Sequence, residues 1–96
     1  MIPKSFRLIN RQFVVQKLNK SVADAGSMEG DFSMRTGIIR VGSAGNDEYN
    51  SHTFYHELVH ALLESSSKPS LSKKEAFVDS LAAVLHQYEQ TKKGEL

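Results

Sequence analysis

His56-Glu57-Leu58-Val59-His60 sets two imidazoles four residues apart with a carboxylate beside the first. On an α-helix such a pair shares one face, about 6 Å apart along the axis, and both rings can turn onto one divalent ion. Zn²⁺ suits this geometry, binding imidazole nitrogen at about 2.0–2.1 Å. Glu57 then stands next to the remaining coordination position, able to take a proton from water there while the ion polarises a scissile carbonyl. A chain of this composition, with four histidines, would contain the pattern by chance only about 0.01 times. The competing reading is a pair of partly exposed helix histidines with Glu57 solvated beside them.

A catalytic zinc takes three protein ligands and keeps one position open. His52 and Glu64 extend the histidine row by a turn in each direction, but the outermost groups then span about 12 Å of rise, too far for one ion. Six residues beyond His60, where a third histidine would serve, the chain has Ser66. Glu75 is the best candidate, since it opens the next helix after a Ser-Pro turn that lets that helix double back. It also fits a capping box, Ser72-Lys73-Lys74-Glu75, in which the glutamate would reach back to the N-cap amide. Asp79, one turn on, can accept the second N–H of a ligand histidine and so fix its tautomer; otherwise it is a solvated helix aspartate. His86 lies about 16 Å along that helix from Glu75 and cannot share the ion, so it reads as a core-edge or surface residue. His52 falls to the first helical turn, with a place near the cleft rim left open. Tyr49, Tyr55 and Tyr88 carry hydroxyls suited to an oxyanion, and nothing in the sequence ranks them.

The elements that must position these groups divide the chain in two. Phe6-Arg7-Leu8 and Phe13 through Leu18 read as strands joined by a turn at Asn10-Arg11. Ser21 to Asp31, with two glycines and three acidic residues, reads as a loop. Phe32-Ser33-Met34 and Ile38-Ile39-Arg40-Val41 suggest a hairpin across Gly37, and Gly42 to Asp47 breaks the chain with turn formers. A first helix is expected from Asn50 or Ser51 through Glu64, with Phe54, Leu58, Ala61 and Leu62 as its apolar stripe. The serine run and Pro69 end it. A second helix from Ser72 would bury Phe77, Leu81, Val84 and Leu85 and fray beyond Thr91. The expected fold is α+β: about three to four strands across residues 5–42, antiparallel or mixed, packed on helices near 50–64 and 72–91.

Ninety-six residues suit one small domain. Twelve Lys and Arg against eleven Asp and Glu leave a formal charge of +1, with no basic block to hold nucleic acid or an anionic membrane. No apolar run approaches the roughly 18 residues of a membrane span, and the N-terminal residues lack a signal-peptide core. The absence of cysteine removes thiolate zinc sites, disulfides and thiol nucleophiles and suits a reducing, cytoplasmic setting.

His56-Glu57-Leu58-Val59-His60-Ala61-Leu62-Leu63 followed by Glu75-Ala76-Phe77-Val78-Asp79-Ser80-Leu81-Ala82 resembles the two helices of ImmA/IrrE-type metallopeptidases. It is closer still to the short metallopeptidases of phage and prophage genomes. Their pattern pairs HExxH with a downstream helix of the form E-x-x-(A/V)-(N/D)-x-(F/L)-A. The resemblance spans residues from about 30 to 90 and includes a hairpin before the active helix. It implies a minimal zincin core with His56, His60 and Glu75 as zinc ligands, Glu57 as general base and Asp79 at the polar position four residues on. The larger members carry extra elements that complete a substrate cleft, and this chain has almost no length for them. The expected activity is hydrolysis of a peptide or protein, with a regulatory protein as one candidate partner, aligned on a sheet edge for which Ile38–Val41 is the candidate. The alternative is a zinc-stabilised protein-interaction module without peptidase activity. Oligomeric state and substrate identity leave no mark in the sequence.

Overall fold

A computed structural model describes residues 2–18, 30–42 and 46–96. Four strands come from the N-terminal half: β1 (Ser5–Leu8), β2 (Arg11–Lys17), β3 (Gly30–Ser33) and β4 (Ile38–Val41). Three helices follow: α1 (Asp47–Ser65), the single turn α2 (Pro69–Ser72) and α3 (Glu75–Thr91). The architecture is α+β, a four-stranded mixed sheet packed against the helices. Strand order is β1-β2-β4-β3, with β2 and β4 parallel and both outer pairs antiparallel.

Alternation along the strands decides which face is buried. Phe13, Ile39 and Val41 are buried on one face, with Phe6, Val15 and Phe32 partly buried beside them. The register sets Phe6 opposite Phe13 and Phe32 opposite Ile39. Phe6 and Phe13 stack at 5.4 Å between ring centroids, and Phe54 of α1 meets Phe6 edge-on at 6.2 Å. The other face carries Arg7, Gln12, Gln16 and a bidentate Asp31–Arg40 pair across β3 and β4, as suits a sheet with one solvated face.

α1 is the central element. Phe54 packs toward the sheet, while Tyr55 stacks on His86 of α3 and Val59 joins Val78 and Ala82 in the core. Between these two apolar arcs the helical period leaves a polar one, shared by Thr53, His56, Glu57, His60 and Glu64.

Several sequence-based expectations change. α1 begins at Asp47, a turn before Asn50, because the Asn46 side chain accepts from the Tyr49 N–H at 2.7 Å and serves as N-cap. The β1–β2 turn is Ile9-Asn10, and Arg11 already belongs to β2; Ile9 takes a positive φ of 57° there. Gly30 and Asp31 open β3, whereas the rest of the expected loop from Ser21, and residues 43–45, lie outside the described residues. β4 lies between β2 and β3, so Ile38–Val41 is not an edge strand; β1 and β3 are the edges. α3 starts at Glu75, capped by Lys74 without a side-chain hydrogen bond, so the expected capping box does not form. Its buried residues are Val78, Ala82 and His86, while Phe77, Leu81 and Val84 are exposed. Only Leu85 of the expected face packs on the core, partly buried. No described helix is long and apolar enough to cross a membrane.

Candidate metal centre

The polar arc of α1 faces the first turn of α3. His56 Nε2 lies 3.0 Å from Glu75 Oε2, and His60 Nε2 lies 3.3 Å from Glu75 Oε1. The two imidazole centroids are 5.1 Å apart. One donor atom from each of His56, His60 and Glu75 falls within 4.8 Å of the others. Two imidazoles and a carboxylate converging from two helices form a group that could hold a metal ion. The donor set, two nitrogens and an oxygen, fits a divalent ion such as zinc, and no fourth residue joins the group among the described residues.

What surrounds these donors orients them. Asp79 Oδ1 lies 3.4 Å from His56 Nδ1 and 3.3 Å from His52 Nε2, between a candidate ligand and its helical neighbour. His52 pairs with Asp79 in the second turn of α1 and is not a member of the donor group. Behind His60 stands Ser72, whose hydroxyl is 2.8 Å from Nδ1 and donates to Glu64 Oε2 at 3.1 Å. By spacing alone Ser72 is a helix cap and Glu64 lies too far along the histidine row to share an ion. The one available signal was a carboxylate in the last turn of a helix, where the macrodipole disfavours it.

Glu57 is half-buried beside His56. Burial pushes its carboxyl up to about 7; the His56 charge opposes this, and the carboxylates of Asp31 and Glu75 reinforce it. A carboxylate balanced near neutrality is suited to taking and returning a proton. Gly30 brings the edge strand against this region: a Cβ there would lie 2.7 Å from Thr53 Cγ2, 2.9 Å from the Arg40 carbonyl oxygen and 3.7 Å from Glu57 Cγ.

His86 stacks on Tyr55 at 5.1 Å and is a core residue, apart from the donor group. Burial, with Glu89, pushes the Tyr55 hydroxyl up, and the Tyr55 ring lies on His86, toward the far end of α3 and about 16 Å of rise along it from Glu75. Tyr88 shares that far end with Lys92 over its ring. Neither tyrosine is therefore an oxyanion donor at this centre. A cavity of about 680 Å³ at the first turns of α1, lined by Lys4, Lys17, Asp47 and Ser51 among others, includes none of the donor residues.

No protein family, curated protein or solved structure matches this chain.

Proposed function

We propose that this protein is a zinc-dependent metallopeptidase of the minimal zincin kind, with the ImmA/IrrE-type resemblance as its class. The observation that carries the reading is the convergence of His56, His60 and Glu75 with the half-buried Glu57 beside them. His56, His60 and Glu75 would hold the ion. When bound, zinc would polarise the scissile carbonyl and acidify water at its open position. Glu57 takes the proton of the attacking water and passes it to the leaving amine, which needs a carboxyl that titrates near neutrality. Asp79 orients His56 through Nδ1. Peptide alignment falls to β3 instead of Ile38–Val41, because β3 is an edge and Gly30 brings its backbone close to Glu57.

A purely structural zinc would require a fourth protein ligand to close the shell. His52, the candidate for that place, is engaged with Asp79, which favours an open and hence catalytic centre. The test is Glu57→Gln assayed on an unstructured protein substrate beside the parent, with zinc content measured on both. Hydrolysis should fall by about 10²–10⁴ while zinc is retained. Equal cleavage by the variant would refute the mechanism.

A further inference from the structure

We propose that Ser72 and Glu64 form a positioning relay that holds His60 with its proton on Nδ1 and its Nε2 lone pair turned toward Glu75. This rests on the reading of His60 as a metal ligand. A serine hydroxyl has one hydrogen to donate. That hydrogen goes to Glu64 Oε2 at 3.1 Å, since an ionised carboxylate can only accept. Toward His60 Nδ1, at 2.8 Å, the same oxygen must therefore accept, and Nδ1 must carry the proton. Were Ser72 to donate to the imidazole, its lone pairs would face the Glu64 carboxylate without a hydrogen between them. An imidazole protonated on Nδ1 can keep its lone pair on Nε2, so that Nε2 and Glu75 Oε1, 3.3 Å apart, are two acceptors that a shared cation would bridge.

The fold is arranged around this contact. Ser72 is only 6% exposed, although it lies in a connector between two helices. α1 ends in a Schellman turn, with Lys68 N–H bonded to Leu63 O at 2.7 Å and Ser67 N–H to Glu64 O at 3.2 Å. Pro69 then starts α2, whose last residue is Ser72, so the connector is folded tightly enough to return a hydroxyl beneath His60. Glu64 occupies the last turn of α1, which contains no basic residue, and a carboxylate there works against the helix dipole. Acceptance of the Ser72 proton gives that placement a purpose. The two histidines are thus held differently: His56 directly by a carboxylate, His60 through a hydroxyl.

The test reads the tautomer and the metal separately from hydrolysis. Long-range ¹⁵N–¹H spectra of the metal-free parent should show His60 protonated on Nδ1, and Ser72→Ala should shift it toward a tautomer mixture. Zinc affinity, measured by competition with a chromophoric chelator, should fall about 10–100-fold in Ser72→Ala and in Glu64→Ala. Ser72→Thr, which keeps the hydroxyl, should recover most of the loss. The double variant should lose little more than either single one, as members of one network do. A metal-free parent whose His60 lacks a proton on Nδ1, or single-variant affinities within about twofold of the parent, overturns the relay. Zinc binding that depends on Ser72 without any hydrolysis supports the relay and overturns the peptidase. A parent that takes up no zinc overturns the metal centre, and the tautomer then decides the relay alone.

Discussion

Glu75 ties the candidate metal centre together, because it alone among the donor residues comes from α3. It is well exposed, and its two oxygens reach different histidines. Glu75→Gln removes the charge that offsets a dication, so zinc affinity should drop by more than about 100-fold, beyond what loss of an orienting partner costs. Chelator competition would measure it, and an affinity close to the parent's would take Glu75 out of the shell. Its place beside the histidine pair was legible in the sequence because such a pair leaves room for a donor from another element, and the next helix offers a carboxylate at its start. Asp79 was legible for the same reason, one turn further along the same face. Ser72 and Glu64 were not, because their contact depends on how tightly the connector folds, and four polar residues around a proline do not announce a helical turn.

Two glycine and serine positions carry the element-scale consequences. Ser67 takes a left-handed φ of 60° at the turn that ends α1, a conformation in which an L side chain costs roughly 1–2 kcal/mol. Ser67→Gly should therefore stabilise the protein by about 0.5–1 kcal/mol after glycine's own entropy loss, raising Tm by a few degrees in a thermal melt. Gly30 behaves oppositely. Its missing Cβ lets β3 lie against Thr53 and the Arg40 carbonyl, and the carbonyl is backbone that cannot rotate away. Gly30→Ala should cost about 1–3 kcal/mol, as overpacking does, and, under the proposed peptidase reading, lower hydrolysis more than zinc content by pushing the edge strand off Glu57. Unchanged stability and turnover would mean that β3 does not bear on the site. These elements also show where periodicity misleads. α3 is apolar over two adjoining arcs, and the larger side chains, Phe77, Leu81 and Val84, occupy the exposed one. The buried arc uses Val78, Ala82 and His86, small or polar residues that hydrophobic patterning underweights, because close approach to α1 needs small volume. β4 reads like any short strand, and its interior place follows only from its parallel pairing with β2, a long-range contact invisible to local pattern.

At the scale of the molecule, the sheet and α3 meet through α1. The core cluster joins Ile39 and Val41 of β4 to Val78 and Ala82 of α3 by way of Phe54, Tyr55 and Val59. A domain of this size has a small core, so a ligand that bridges two elements has a large effect on stability. An ion held by His56 and His60 on one helix and Glu75 on another would clamp α1 to α3 at the end where α2 turns the chain. At zinc concentrations about 100-fold above Kd, linkage predicts about 2.7 kcal/mol of added stability. For a domain of about 100 residues that corresponds to a rise in Tm of roughly 10–20 °C. Thermal melts with and without zinc would measure the rise, and Glu75→Gln should abolish most of it. Amide exchange refines the prediction: zinc should slow exchange most in the first turns of α3, where Glu75 and Asp79 reach the histidines of α1 and Val78 is buried. A zinc-dependent gain that survives Glu75→Gln intact, or protection confined to α1, would show that the ion binds the histidine pair without drawing the second helix in.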